Sequence, residues 1–186
     1  TLDRFLDFTI PMISSNHRQA AELTANLVIE KKCREVVHIT GAMRSDVASN
    51  EYYTYSKELM EENNIIVHRH IIENNSFTLE GYEEAAQKLF DLYPTADCIL
   101  GVDMAILACM KIARRRGYVI PKDIKLISYD GTYVTRLLDK TITSIKQPIE
   151  QLAEQAVNIM IDLIEEREVT NNRVMLEVTL QKGDTI

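Results

Sequence analysis

The sequence predicts an α/β fold in which a mostly parallel sheet carries helices on both faces. Two observations predict it. Short β-branched runs alternate with longer stretches of helical spacing along the whole chain, and capping residues stand at the boundaries between them. With 46% hydrophobic side chains over 186 residues, the chain can fill the core such a sheet requires.

The elements follow in order. IPMIS (10–14) reads as a buried strand and leads into a helical stretch over 16–32. EVVHIT (35–40) is the next strand, followed by a helix over 49–63, and IIVHRHI (65–71) by a helix over 78–92. Thr78 precedes a Glu-rich first turn, as a helix start requires. DCILGV (97–102) is a strand, and Asp103 stands where an N-cap of the helix over 103–116 belongs. That helix ends in Arg114–Arg116 before Gly117, a basic last turn and glycine cap that complement the helix dipole. IKLISY (124–129) is a strand that stops at Asp130 and Gly131. ITSIK (142–146) is the next, and Pro148 suits the first turn of a helix over 148–166. EEREVTNN (165–172) reads as a surface loop, and VMLEVTLQKG (174–183) alternates like a half-exposed edge strand. The chain opens on TLDRF, a strand end with no strand before it, so the natural protein is expected to extend upstream.

Several function classes are disfavoured. A net charge of −7, with 21 basic against 28 acidic side chains, repels a phosphate backbone. The apolar runs fall short of the roughly 18 residues a membrane helix needs. No phosphate-binding glycine loop, HExxH or GxSxG occurs, so an enzyme is not expected, and no cofactor is implied. His17, His38, His68 and His70 lack metal spacing, and His38, inside an apolar strand, is expected to be a satisfied core residue. Cys33, Cys98 and Cys109 fit reduced thiols in a cytoplasmic protein. Tyr52 and Tyr55 share a helix face without adjacent basic residues, which fits core packing or a subunit contact. Asp3, Asp103 and Asp130 fall at element ends, but nothing fixes their mutual distance. In a parallel sheet the carboxyl ends of the strands line the ligand crevice, so Asp130 either belongs to a binding edge or caps the turn before Gly131.

Five segments, taken together and in order, resemble the effector-binding domain of the lactose-repressor/galactose-repressor family of bacterial transcription regulators. GYVIPKDIKLISYDG (117–131) looks like the family's strand signature. TITSIKQPIEQLAEQAVNIMIDLI (141–164) is similar to its L-T-T-[IV]-x-Q-P and trailing helix, and PTADCILGVDMAILACM (94–110) to P-D-A-[IV]-x-x-x-N-D-x-x-A. TLDRF (1–5) and SSNHRQAAELTANL (14–27) resemble the strand end and helix that open the domain.

The resemblance implies a two-lobe fold like that of periplasmic sugar-binding proteins, with parallel sheets flanked by helices and an incomplete N-terminal lobe. Residues 1–14 and 147–173 would belong to that lobe, and residues 15–146 and 174–186 to the C-terminal lobe. A DNA-binding helix-turn-helix headpiece lies outside this stretch. The implied function is effector sensing and dimerisation for a repressor of a carbohydrate-utilisation operon. Its implied partners are a small-molecule effector, a second copy of the chain and operator DNA through the headpiece. The alternative is a solute-binding protein feeding a sugar transporter.

Site residues carry over in part. Asp3 and Asp130 match acidic residues beside the ligand, and a carboxylate can accept two hydroxyl hydrogen bonds. Phe77 falls within one position of a ligand-packing aromatic, or it is a core residue at a helix start. Glu51 stands where the family has a clamping arginine, and Val102 where it has an asparagine. Arg44 is the nearest compensating cation. With Asp3, Glu51 and Asp130 expected to converge, the pocket implies a neutral, sugar-like ligand, a cationic one or none, rather than a phosphorylated sugar. If the alignment slips, Glu51 merely occupies the first turn of a helix, where negative charge is favourable.

Overall fold

The computed structural model describes residues 1–7, 9–42, 47–73, 76–169 and 172–186. In chain order the elements are β1 (Met12–Ser15), α1 (His17–Glu30), β2 (Glu35–Thr40), α2 (Asn50–Glu62), β3 (Ile66–Ile71), α3 (Leu79–Leu92), β4 (Cys98–Val102), α4 (Asp103–Arg115), β5 (Lys125–Asp130), β6 (Thr143–Lys146), α5 (Ile149–Ile164), β7 (Arg173–Leu176) and β8 (Thr179–Gln181). Every strand and helix predicted between residues 10 and 166 is present, with ends displaced by no more than two residues.

Six strands form the main sheet in the order β3-β2-β4-β5-β6-β8, all parallel except β8 against β6. The middle strands are apolar without alternation because both faces are covered. Helices α1 and α2 pack together on one face around Val28, Val36, Met60 and Leu100, and α3 and α4 on the other around Leu89, Ile99, Ile106 and Leu126. Strand order reverses between β2 and β4, the position where open α/β sheets leave a crevice at their carboxyl ends.

β1 and β7 pair in parallel as a separate two-stranded sheet. The chain therefore passes between the sheets at Ser15–Asn16, at Gln147–Pro148 and between Leu176 and Thr179. These crossings are tied to one another. The Asn16 amide donates to the Leu176 carbonyl at 2.7 Å, and the Val178 amide donates to Gln19 Oε1 at 2.8 Å.

Two readings are corrected. The single edge strand expected over 174–183 is two strands in two sheets, because Val178 turns inward and is buried. Asp103 does not cap its own helix: Val102 is the N-cap residue, with no side-chain hydrogen bond. The Asp103 carboxylate instead accepts from the amides of Gly131 and Thr132 at 3.2 and 2.7 Å and from the Thr132 hydroxyl at 2.6 Å. Thr78 caps α3 as expected, accepting from the Gly81 amide. Gly117 follows the basic turn of α4 at φ +84°. The three thiols are free and buried, and no helix among the described residues is long and apolar enough to cross a membrane.

Candidate functional site

A cavity of about 240 Å³ opens where the carboxyl ends of β2, β4 and β5 meet the crossings. Asp3, His17, His38, Tyr52, Tyr53, Val102, Tyr129, Asp130 and Gln147 are among its walls. Other hollows are roomier, including an open one of about 560 Å³ beside Lys146 and Glu177. The smaller cavity is singled out by its buried, mutually hydrogen-bonded polar groups.

Asp3 is brought in by strand-like pairing of the N-terminal segment with β1: Leu2 bridges Ile13, and the Asp3 amide donates to the Ile13 carbonyl at 3.0 Å. Its backbone sits at φ +50°. Oδ1 accepts from the Ser14 hydroxyl at 2.6 Å and lies 3.2 Å from His17 Nε2. Burial pushes the Asp3 carboxyl up, but the hydrogen bonds from His17 and Ser14 outweigh it and hold the group below its ordinary value.

His17 is fully buried in the first turn of α1, whose Asn16 cap accepts from the Gln19 amide at 2.9 Å. Its Nδ1 lies 2.6 Å from the Tyr129 hydroxyl. The Tyr129 ring stacks on Tyr52, with centroids 4.4 Å apart and planes at 14°, and the Tyr52 hydroxyl meets Thr24 Oγ1 at 3.0 Å. Burial raises both phenols well above their ordinary range, so they stay neutral.

Asp130 ends β5 at φ +120°. Its Oδ1 accepts from Gln147 Nε2 at 2.6 Å, and Gln147 Oε1 accepts from the Ser15 hydroxyl at 2.7 Å. One amide side chain thus clips β5 to two crossings. Burial, then the like charges of Asp103 and Asp3, push the Asp130 carboxyl up to about 7. The two amides after Asp130 are held by Asp103, so the turn is capped from α4 and Asp130 faces the cavity.

His38 departs from expectation. It is buried, but its Nδ1 has no hydrogen-bond partner, and burial together with the Arg69 charge pushes the imidazole down to about 3. It lines the cavity as a neutral ring against Tyr52 and Tyr53.

Of the residues chosen from sequence, the structure brings Asp3, Val102 and Asp130 together at this cavity. Glu51 is not among its walls; it is exposed in the first turn of α2, where it adds to the negative field on Arg18. Phe77 is 57% exposed and packs against Tyr82, whose ring edges a neighbouring hollow shared with Val102 and Asp130. Arg44 lies outside the described residues. Among those described, no lysine or arginine lines the cavity, and no group of three His, Cys, Asp or Glu side chains is placed to hold a metal ion.

His17, Tyr52, Tyr129 and Gln147 were missed as site residues. A signal for His17 existed: with Ala20, Ala21 and Thr24 it follows the i, i+3, i+4, i+7 spacing of the buried stripe of α1. A histidine in such a stripe needs partners for both ring nitrogens.

Residues 25–186 match the family model of a periplasmic binding protein-like domain. The ribose operon repressor of Halalkalibacterium halodurans is 26% identical over 185 residues, covering 99% of this chain and 55% of the repressor. The sucrose operon repressor of Streptococcus mutans is 24% identical, covering 99% of the chain and 56% of that protein. The chain thus spans about half the length of these curated relatives. Among solved structures, a periplasmic binding protein/LacI transcriptional regulator from Alkaliphilus metalliredigens complexed with D-xylulofuranose superimposes with a TM-score of 0.88 at 24% identity, covering 99% of this chain and 68% of that one.

Proposed function

The chain belongs to the periplasmic binding protein-like domain family, and on that footing we propose that it is the effector-sensing part of a bacterial repressor of a carbohydrate-utilisation operon. Its effector is a small, uncharged polyhydroxyl ligand held in the cavity at the strand ends. The observation that carries this reading is the convergence of Asp3, Asp130 and the Tyr52–Tyr129 stack on one cavity beside the crossings. Carboxylates accept hydroxyl hydrogen bonds, and aromatic faces cover the apolar side of a sugar ring. Two carboxyl groups with no described lysine or arginine on the walls disfavour a phosphate or carboxylate ligand.

The β1–β7 sheet belongs to the N-terminal lobe in this reading, and the six-stranded sheet to the C-terminal one. The last lobe boundary then falls between Leu176 and Thr179 rather than at residue 173. A ligand between the lobes acts only if it prefers one lobe arrangement over the other, and that preference is relayed to operator DNA through a dimer. The protein works in the cytoplasm, where its DNA partner is.

The reading is tested by thermal-shift screening of the full-length protein against neutral monosaccharides, sugar phosphates and amines. A ligand present at a hundred times its Kd stabilises by about 2.7 kcal/mol. A neutral monosaccharide is expected to raise the melting temperature, with the shift lost in Asp130→Asn. A shift confined to sugar phosphates, or a flat panel, overturns the reading.

A further inference from the structure

Resting on that effector-sensing reading, we infer that His17 is the positioning residue of the cavity. From Nε2 it donates a hydrogen bond that fixes Asp3 as an acceptor, and the site thereby selects ligands that offer a hydroxyl donor to that carboxylate.

Asp3 belongs to no regular element, and its left-handed backbone is secured by two isolated hydrogen bonds, its amide donating to the Ile13 carbonyl at 3.0 Å and its carbonyl accepting from the Ala48 amide at 3.2 Å. Its side chain is oriented by the Ser14 hydroxyl and His17 Nε2, both on Oδ1, with a further hydrogen bond from the Ser15 backbone. Asp3 is held as a carboxylate, which only accepts, so the nitrogen facing it carries the proton. His17 cannot drift, because it has no exposure and its other nitrogen is bonded to Tyr129. Tyr129 is in turn held by its stack on Tyr52, which is hydrogen-bonded to Thr24. One imidazole thus joins the N-terminal segment, α1 and β5, and through the stack α2.

The consequence is a polarity at the mouth of the cavity. Asp3 has no proton to give, so a ligand acceptor placed there finds no donor, and an anion meets a like charge. A sugar hydroxyl satisfies it. An analogue lacking that hydroxyl leaves a part-buried acceptor unpaired, the kind of loss that binding sites discriminate strongly.

Two measurements on the full-length protein decide the matter. The first is nitrogen NMR of histidine-labelled protein, with the His17 signals assigned by their loss in His17→Gln. A proton on Nε2 is expected, and Tyr129→Phe, which keeps the ring, is expected to move the Nδ1 signal. A neutral ring protonated only at Nδ1 overturns the inference. The second is calorimetric binding of D-ribose and its 2-, 3- and 5-deoxy analogues. The unaltered protein is expected to lose at least tenfold in affinity for one analogue. In His17→Phe that discrimination should shrink to less than threefold, and in His17→Gln, which retains a donor, it should partly return. Undiminished discrimination in a His17→Phe protein that still melts cooperatively overturns the inference. If D-ribose and the whole neutral panel fail to bind, the sensing reading fails on that result, while the protonation site still decides the hydrogen bond.

Discussion

Asp130 shows how one residue of the cavity wall combines backbone strain with a buried charge. It combines a left-handed backbone with a buried carboxyl pushed up to about 7, two features that cost stability and that a folding-only role does not need. The raised value means the native state holds this proton more tightly than the unfolded chain does. The cost is therefore absent below about pH 4, grows as pH rises toward 7, and levels off above it at up to about 4 kcal/mol. Asp130→Asn keeps the shape and the contact with Gln147 without the charge. Melting curves should show the variant gaining stability over the unaltered protein between pH 4 and 7, with no gain near pH 3.5. A pH-independent difference would mean that Asp130 is solvated. The residue scale was also the least legible in sequence. Asp130 could be placed at the cavity because strand ends in a parallel sheet point at a crevice, whereas Asp3, outside any regular element, was marked only by the family resemblance. Glu51 could not be placed, because one residue along α2 separates the exposed surface from the buried Tyr52. His38 lay in a strand correctly read as buried, but sequence gives no count of hydrogen-bond partners.

At the scale of elements the sequence was nearly transparent, since β-branched runs and helical stripes are local patterns that the fold did not override. The exception is the break between β7 and β8. Val174 to Gln181 alternates without a glycine or proline, so nothing local announces that the chain changes sheets at Glu177–Val178. Two junctions can be tested directly. Asn16 caps α1 with a 2.9 Å hydrogen bond, and Asn16→Ala should cost about 1 kcal/mol in urea denaturation. Gly131 lies at φ +65°, and a Cβ there would come within 2.7 Å of the Lys146 Cα, a backbone atom on the neighbouring strand. Gly131→Ala should therefore destabilise by more than about 1 kcal/mol. A neutral outcome would show that β5 and β6 can separate at their carboxyl ends.

For the whole molecule, the two sheets differ in how completely they are covered. The six-stranded sheet is sealed by helices on both faces, whereas α5 buries only Leu152. Val157, Met160, Ile161 and Ile164 follow one another at i, i+3, i+4 and i+7 and are 57, 57, 43 and 73% exposed, an apolar stripe along the helix. Such a stripe in water drives association, so the 186-residue stretch expressed by itself should self-associate in sedimentation and bind an apolar dye. Ile161→Lys with Ile164→Lys should restore a monomer and abolish dye binding. In a chain extended to the length of the ribose operon repressor, 55% of which this chain covers, the same pair of substitutions is expected to act in the opposite direction. Where neighbouring chain covers the stripe, two buried lysines should cost several kcal/mol and lower the melting temperature. If the long protein is indifferent to them, the stripe faces solvent or a partner in both contexts, and the β1–β7 sheet does not belong to a lobe completed beside α5.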